Sequence, residues 1–213
     1  MYTVQVCCSA VGQFLPLYVV HKGKHLYITW CKPSEGPDGT VCNCLPSGWM
    51  EGEQFTEWFH KVFIPHTAEL DGNKLLIFDG HSSHISSQVV TLALENSIEL
   101  LCLPAHSSSI LQPLDVGVFK TVKGAWRKCL RDYYDETRYS NVDKPAFPRL
   151  LKRLVEGGAF SRANAISAFE ACGIYPLNRQ KITPEKLSTS VPLQMDRLPA
   201  AHLCRTRQPV TPL

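Results

Sequence analysis

Long hydrophobic runs are missing from this sequence of 213 residues. No apolar segment approaches the ~18–20 residues of a membrane-spanning helix. The first residues, MYTVQVCCSAVG, lack the basic start and long apolar core of a signal peptide. No internal repeat is visible. With 44% hydrophobic and 19% charged residues, the composition is typical of a soluble globular domain without a membrane partner.

Cysteine is plentiful, but its pattern lacks the order of a disulfide framework. The nine cysteines are odd in number and irregularly spaced, which predicts reduced thiols in an intracellular chain. Cys42 and Cys44 form a C-x-C pair that could bind a metal. No second Cys/His pair follows at zinc-finger spacing, so free thiols are the favoured interpretation.

Acidic residues are absent between Val116 and Arg131. The basic residues of this segment are Lys120, Lys123, Arg127, Lys128 and Arg131. Their local charge of +5 exceeds the net charge of +3 of the whole chain. Such an excess is compatible with a phosphate-rich partner. A solvated helix face is the other interpretation, and charge alone favours it.

The N-terminal apolar patterns predict strands followed by a helix. Residues 2–11 and 14–20 flank a Gly-Gln turn and predict a hairpin, and LYITW at 26–30 predicts a third extended piece. The Pro- and Gly-rich residues 32–48 predict a loop. Apolar residues at helical spacing then predict a helix that ends near Pro65.

The middle of the chain predicts a βαβ unit. KLLIF (74–78) and IELLCL (98–103) are short apolar runs typical of parallel strands covered on both faces. The intervening 85–95 predicts a helix, with Ser82 or Ser83 as cap. A polar loop follows at 104–113, and three helices are then predicted at 114–133, 145–156 and 161–171. The chain is therefore predicted to be α/β.

Two acids follow these strands. Asp79 ends the first strand directly, and the loop after the second strand leads to Asp115. Because the carboxyl ends of parallel strands meet at one edge of a sheet, the two carboxylates are expected to converge. At ~4 Å and an effective dielectric near 20, their repulsion would be about 4 kcal/mol. A proton or a hard cation such as Mg²⁺ or Mn²⁺ would relieve it. A turn at Asp79 and a helix cap at Asp115 are the alternative roles.

The stretches "LLIFDGHSSH" (75–84) and "LLCLPAHSSSILQPLDVGVFKTVK" (100–123) resemble the second and third acid motifs of DDE-type transposases of the pogo/Tigger group, which is related to centromere protein B and the Jerky-like proteins. "GQFLPLYVVHKGK" and "SAFEACGIYPLN" resemble the hairpin and the end of the same domain. The 35 residues between Asp79 and Asp115 also suit the group. The resemblance covers about residues 2–180 and implies a ribonuclease-H-like fold.

The same resemblance implies a DNA-cleaving site. Asp79 and Asp115 would be catalytic and would hold Mg²⁺ or Mn²⁺ ions, roughly 3.5–4 Å apart in two-metal sites. His81 and His84 would lie near the substrate phosphate or orient the ligands. The basic helix residues Lys120, Lys123, Arg127, Lys128 and Arg131 would neutralise DNA phosphates. A nuclear location follows from the family alone.

The sequence also departs from the family. The family's first acid lies in a motif around Asp-Glu-Thr-Gly, on a central strand before the hairpin, and no such motif occurs here. We therefore expect a domain at 1–180 that lacks its first strand, followed by a polar, poorly ordered tail at 181–213. Glu35, Asp38 and Glu51 are weak candidates for a substitute acid.

Three functional classes follow from these observations. The first is an N-terminally truncated, catalytically incomplete DDE endonuclease domain that binds DNA, so enzymatic activity is left open. The second is a domesticated, non-catalytic nuclear module for binding DNA or protein. The third is a zinc hydrolase that uses His81, His84 and cysteine ligands. The oligomeric state stays open, with a homo-oligomer as one alternative.

Overall fold

Two small β-sheets organise the protein. The computed structural model describes residues 1–80, 84–139, 141–184 and 186. Its strands are β1 (Tyr2–Gln5), β2 (Tyr18–Lys22), β3 (Val41–Leu45), β4 (Lys74–Phe78) and β5 (Ile98–Cys102). One sheet has the order β1-β2-β3 and the other pairs β4 with β5.

Helices surround both sheets. The α-helices are α1 (Gly52–Trp58), α2 (Ile64–Thr67), α3 (Ser87–Glu95), α4 (Ser108–Leu111), α5 (Phe119–Thr137), α6 (Phe147–Glu156) and α7 (Arg162–Cys172). Two π-helical segments, Phe59–Phe63 and Leu114–Val118, connect α1 to α2 and lead into α5. None of the described helices is both long and apolar enough to cross a membrane.

The predicted hairpin is present. β1 and β2 are antiparallel, with Tyr2 opposite His21 and Gln5 opposite Tyr18. The third strand was predicted in the wrong place. LYITW forms a 3₁₀ helix, Ile28–Trp30, and Val41–Leu45 within the predicted loop pairs in parallel with β2. The short VCNCL segment carries little strand signal of its own, and its partner lies far away in the sequence.

The helix predicted to stop near Pro65 continues through it. Pro65 is in the first turn of α2, directly after the π-helical segment Phe59–Phe63. In a regular helix, the proline ring would clash with the carbonyl four residues earlier, and the proline has no N–H to donate. The wider π-helical turn lies where that hydrogen-bond pattern is interrupted. Helix geometry therefore extends to Thr67.

The predicted βαβ unit is confirmed. β4 and β5 are parallel, with Lys74 opposite Ile98 and Phe78 opposite Cys102. The helix between them begins after Ser86, whose side chain accepts a hydrogen bond from the Val89 N–H at 3.2 Å. Ser82 and Ser83, the predicted caps, lie outside the described residues. The strands are not covered on both faces, because 55% of Leu75 is exposed.

The core has two parts, one on each face of the three-stranded sheet. Tyr18 and Val20 point into a cluster with the aromatic face of α1 and the segment that follows it. Val19 points the other way, into a cluster with α5 and α6 that includes Phe147. Because β2 is buried on both faces, it is the central strand of this sheet.

The C-terminal helices agree with the sequence prediction. Ser161 caps α7 through its side chain, which accepts from the Asn164 N–H, and Gly173 ends the helix with a positive φ of 67°. The described elements thus form a mixed α/β fold. The predicted tail at 181–213 lies, from residue 187 onwards, outside the described residues.

The cysteines differ from the prediction of free thiols at one pair. Cys31 and Cys42 form a disulfide, with their Cα atoms 6.1 Å apart. Cys42 is therefore paired with Cys31 and does not act with Cys44 as a C-x-C metal pair in this state. Cys42 lies in β3. The sequence does not predict this strand, and therefore does not predict that Cys42 lies next to Cys31.

Candidate functional site

Asp79 follows β4 at the carboxyl end of the second sheet. Its Oδ1 lies 2.8 Å from Nδ1 of His84, and 36% of its side chain is exposed against 14% for His84. The His84 ring stacks on Phe55 of α1, with ring centroids 4.4 Å apart. This stacking holds the imidazole against the hydrophobic core, so that His84 fixes the Asp79 carboxylate in one orientation.

Asp115 lies in the π-helical segment Leu114–Val118. This segment packs closely on α7 at Gly117: a Cβ atom built there would lie 2.6 Å from the Cβ of Ala168. Any side chain at position 117 would therefore push the two helices apart. The absence of a side chain at Gly117 lets α7 fix the position of the turn that carries Asp115.

The two acids line one groove. The inter-sheet groove lies between β1 and β4, has a volume of about 1170 Å³, and is lined by both Asp79 and Asp115. Burial raises the pKa of Asp115, the negative charge of Asp79 raises it further, and Lys123 partly lowers it. The negative charge of Asp79 therefore disfavours ionisation of Asp115 across the groove that both residues line.

Several of the oxygen atoms that line the groove are of the kind that a hard cation prefers. Two carboxylates that repel each other gain from a divalent ion between them, and Mg²⁺ takes one or two protein carboxylates while keeping several waters. Oε1 of Gln112, on the groove wall, is buried and has no hydrogen-bond partner among the described residues. The described residues contain no group of three or more His, Cys, Asp or Glu arranged to hold a metal ion.

The basic residues form an exposed stripe on α5. Lys120, Lys123, Arg127, Lys128 and Arg131 are all exposed. At ~100° per residue, Lys120, Lys123, Arg127 and Arg131 fall within a sector of roughly 80°. The opposite side of α5, including Cys129 and Trp126, packs into the core. The stripe begins beside the acids, since Lys123 acts on Asp115.

The other candidates lie in different places. Glu35 forms an ion pair with Lys32 at 2.7 Å and is not among the described residues that line the inter-sheet groove. Glu51 lines the inter-sheet groove and accepts a hydrogen bond from Ser47. His81 lies outside the described residues.

Sequence reasoning missed Gln112 and Gly117. Both flank Asp115, in the run Gln-Pro-Leu-Asp-Val-Gly. A glycine two residues after a candidate ligand is a signal for close packing, but the partner, Ala168, is 51 positions away along the chain. Only the three-dimensional structure joins the two.

Sheet edges also face the inter-sheet groove. Among the described residues, β1 pairs with β2 alone and β4 pairs with β5 alone. Residues 3–6 of the first sheet and 74–78 of the second both line the groove. Each edge therefore presents main-chain groups that a further strand could pair with.

Comparison with known proteins assigns the family. The sequence model of the DDE superfamily endonucleases matches residues 1–190. The chain is 31% identical over 203 residues to a protein named MFS-type transporter clz9 from Cochliobolus lunatus, covering 90% of this chain and 21% of that protein. It is 30% identical over 143 residues to the human pogo transposable element with ZNF domain, covering 65% of this chain and 10% of the relative.

A third relative is the human Jerky protein homolog, with 26% identity over 129 residues, which covers 54% of this chain and 21% of that protein. The chain thus spans less than a quarter of the length of these three relatives. No solved structure matches it. Since the family model covers most of the chain and the relatives include pogo and Jerky proteins, the chain belongs to the DDE superfamily endonucleases, as a transposase-derived domain of the pogo group.

Proposed function

We propose that this chain is a DNA-binding DDE domain that holds a divalent cation between Asp79 and Asp115 but is catalytically incomplete by itself. The observation that carries the proposal is the shared groove, in which the charge of Asp79 raises the pKa of Asp115. Two carboxylates that repel each other cost stability unless a proton or a cation lies between them.

The protein's own residues would prepare the site for such an ion. His84 orients the Asp79 carboxylate through the contact at 2.8 Å. The close packing of Gly117 on Ala168 holds the turn that carries Asp115. A bound Mg²⁺ or Mn²⁺ would supply Lewis-acid stabilisation of phosphate oxygens. DDE superfamily endonucleases generally depend on divalent metals, which supports this cofactor class.

We propose that the family's first acid and its strand are not supplied by these 213 residues. The edges of β1 and β4 that line the inter-sheet groove support this, since neither pairs with a further strand in the part of the chain that the structure describes. A strand between β1 and β4 would join both sheets into one and would end near Asp79, which is the arrangement of a ribonuclease-H-like fold. A strand of 5–6 residues spans roughly 17–20 Å. In that case, the two acids are enough to bind a metal ion but not enough for catalysis.

DNA would bind along the exposed stripe on α5. Lys120, Lys123, Arg127 and Arg131 form an exposed stripe of positive charge, so we expect contacts to phosphates with little sequence preference. The stripe adjoins the acids at Lys123, which would guide a phosphate towards them. A nuclear location follows from this DNA-binding role and the pogo and Jerky relatives.

A thermal-shift titration with Mn²⁺ tests the cation site. At ten times the dissociation constant, a bound ion stabilises the folded state by ~1.4 kcal/mol, which is ~3–6 °C in Tm for a chain of this size. We expect this shift in the parent chain and not in Asp79→Asn. A parent chain without the shift, or a variant that keeps it, would contradict the cation site.

A plasmid assay separates the catalytic alternatives. We expect the chain to bind DNA with an affinity that falls steeply with salt, and not to nick supercoiled plasmid in Mn²⁺. Nicking that Asp79→Asn abolishes would mean that the chain is a complete nuclease. DNA binding without any response to Mn²⁺ would instead favour the domesticated, non-catalytic module. An affinity that is independent of salt would contradict the phosphate contacts.

A further inference from the structure

A second potential site lies on the far face of the three-stranded sheet from α1. His21 of β2 is fully buried, and neither of its ring nitrogens has a hydrogen-bond partner among the described residues. Buried polar atoms are normally paired, because leaving one unpaired costs about 1–3 kcal/mol. Two unpaired nitrogens on one buried ring therefore require an explanation.

His21 shares a small cavity with the disulfide. The cavity has a volume of about 20 Å³ and is lined by His21, Cys31 and Cys42, among others. A water-sized particle needs at least ~10–15 Å³, so the cavity has room for one small ligand. Phe147 of α6 and Trp30 also line the cavity.

Strand register brings a third cysteine to the same face of the sheet. Cys44 is directly opposite His21 in the parallel pair β2–β3. Because side chains alternate along a strand, Cys42 and Cys44 project from the same face, and the pairing of Cys42 with Val19 assigns that face to the α6 side. Cys44 is a free thiol of intermediate burial.

We propose that the reduced chain binds Zn²⁺, or a similar soft divalent cation, through His21, Cys31, Cys42 and Cys44. One imidazole and three thiolates form a Cys₃His set, which is a common structural zinc site. The disulfide consumes two of these ligands, in agreement with the absence of a metal-binding group among the described residues in this state.

Reduction of the Cys31–Cys42 disulfide frees two of the four proposed ligands. A dithiol reductant gives two electrons and two protons to the Cys31–Cys42 disulfide, which becomes two thiols, and the reductant becomes its own disulfide. Each thiol that binds the cation then loses its proton to solvent. Disulfides are rare in nuclear proteins, so the reduced state is the one expected in the proposed compartment.

The surrounding charge fits this ion. Three thiolates and one Zn²⁺ carry a net charge of −1. The Lys144 ammonium lies 3.8 Å from the centre of the Trp30 ring, which lines the cavity, and its charge acts on His21. Lys144 would therefore partly balance the charged site.

Cobalt substitution tests the site on the 213-residue chain, reduced by a dithiol and then freed of the reductant without oxygen. We expect one equivalent of Co²⁺ to give a thiolate charge-transfer band and the visible bands of a tetrahedral ion, and Zn²⁺ to displace it. The oxidised chain should give neither band. A reduced chain that binds no more Co²⁺ than the oxidised chain would overturn the proposal.

Variants identify the ligands. Cys44→Ser leaves the disulfide intact and should weaken Zn²⁺ binding by more than ~100-fold, because even changes to partners of metal ligands cost about 10–100-fold. Cys102→Ser changes an exposed free cysteine elsewhere and is the matched control. Equal affinities in Cys44→Ser and Cys102→Ser would exclude Cys44 as a ligand and overturn the four-ligand site. Asp79→Asn should leave this affinity unchanged, which separates the zinc site from the cation site of the groove.

Discussion

Replacing Gly117 with alanine tests how Asp115 is held in position. The new Cβ would lie 2.6 Å from the Cβ and 3.1 Å from the Cα of Ala168. To reach an ordinary contact of 3.4 Å, α7 would have to retreat by about 0.8 Å. Overpacking of this kind costs ~1–3 kcal/mol. Alanine's higher helix propensity returns up to ~1 kcal/mol, so the net loss of stability should be about 1–2 kcal/mol.

Gly124 provides the matched control on the neighbouring helix α5. A Cβ atom at Gly124 would meet nothing within 4 Å. Gly124→Ala should therefore stabilise the chain by ~0.5–1 kcal/mol, through helix propensity alone. At ~2–4 °C per kcal/mol for a chain of this size, we expect Tm to fall by about 2–8 °C for Gly117→Ala and to rise by ~1–4 °C for Gly124→Ala.

Scanning calorimetry, with and without Mn²⁺, measures both effects. Since Gly117→Ala displaces the turn that carries Asp115, its Mn²⁺-induced rise in Tm should be smaller than that of the parent, whereas Gly124→Ala should keep the full rise. A Gly117→Ala chain as stable as Gly124→Ala would refute the close packing of this segment on α7. An undiminished response to Mn²⁺ would refute its role in positioning Asp115.

Three further changes probe the groove and the basic stripe. Asp115→Asn should raise Tm of the metal-free chain at pH 7. Burial and then the charge of Asp79 raise the pKa of this carboxyl in the folded state, so the parent loses stability as pH rises through that pKa. The gain should vanish in acid, where the carboxyl is protonated in both the folded and the unfolded parent. His84→Phe keeps a ring against Phe55 but removes the contact to Asp79, so Mn²⁺ affinity measured by titration calorimetry should fall while Tm changes little. Arg127→Gln should reduce the salt-dependence slope of DNA binding by ~0.9 if this residue contacts one phosphate, and an unchanged slope would remove it from the interface.

Local pattern was sufficient to predict the βαβ unit. KLLIF and IELLCL are continuous apolar runs separated by a helical pattern, and such a unit permits essentially one topology. That topology places Asp79 at the carboxyl end of β4, and Asp115 lines the same groove. The sequence pattern does not fix the position of Asp115 as closely, because that residue is held by the packing of Gly117 on Ala168, 51 positions further along the chain.

The remaining features of the fold could not be predicted from the sequence, because they depend on contacts between residues that are far apart along the chain. β3 lies in a segment rich in glycine and proline, and only its pairing with β2 makes it a strand. The helix through Pro65 continues because a π-helical turn precedes the proline. The Cys31–Cys42 disulfide and the close packing of Gly117 on α7 each join residues whose proximity depends on the whole fold.

Electron paramagnetic resonance of Mn²⁺, titrated into four chains, tests the central claim most directly. The chains are the parent, Asp79→Asn, Asp115→Asn and the double variant. If both carboxylates bind one ion, each single change should release most of the bound Mn²⁺. The loss of binding free energy in the double variant should then be smaller than the sum of the losses in the two single variants. Full Mn²⁺ binding by either single variant would contradict a cation shared by Asp79 and Asp115.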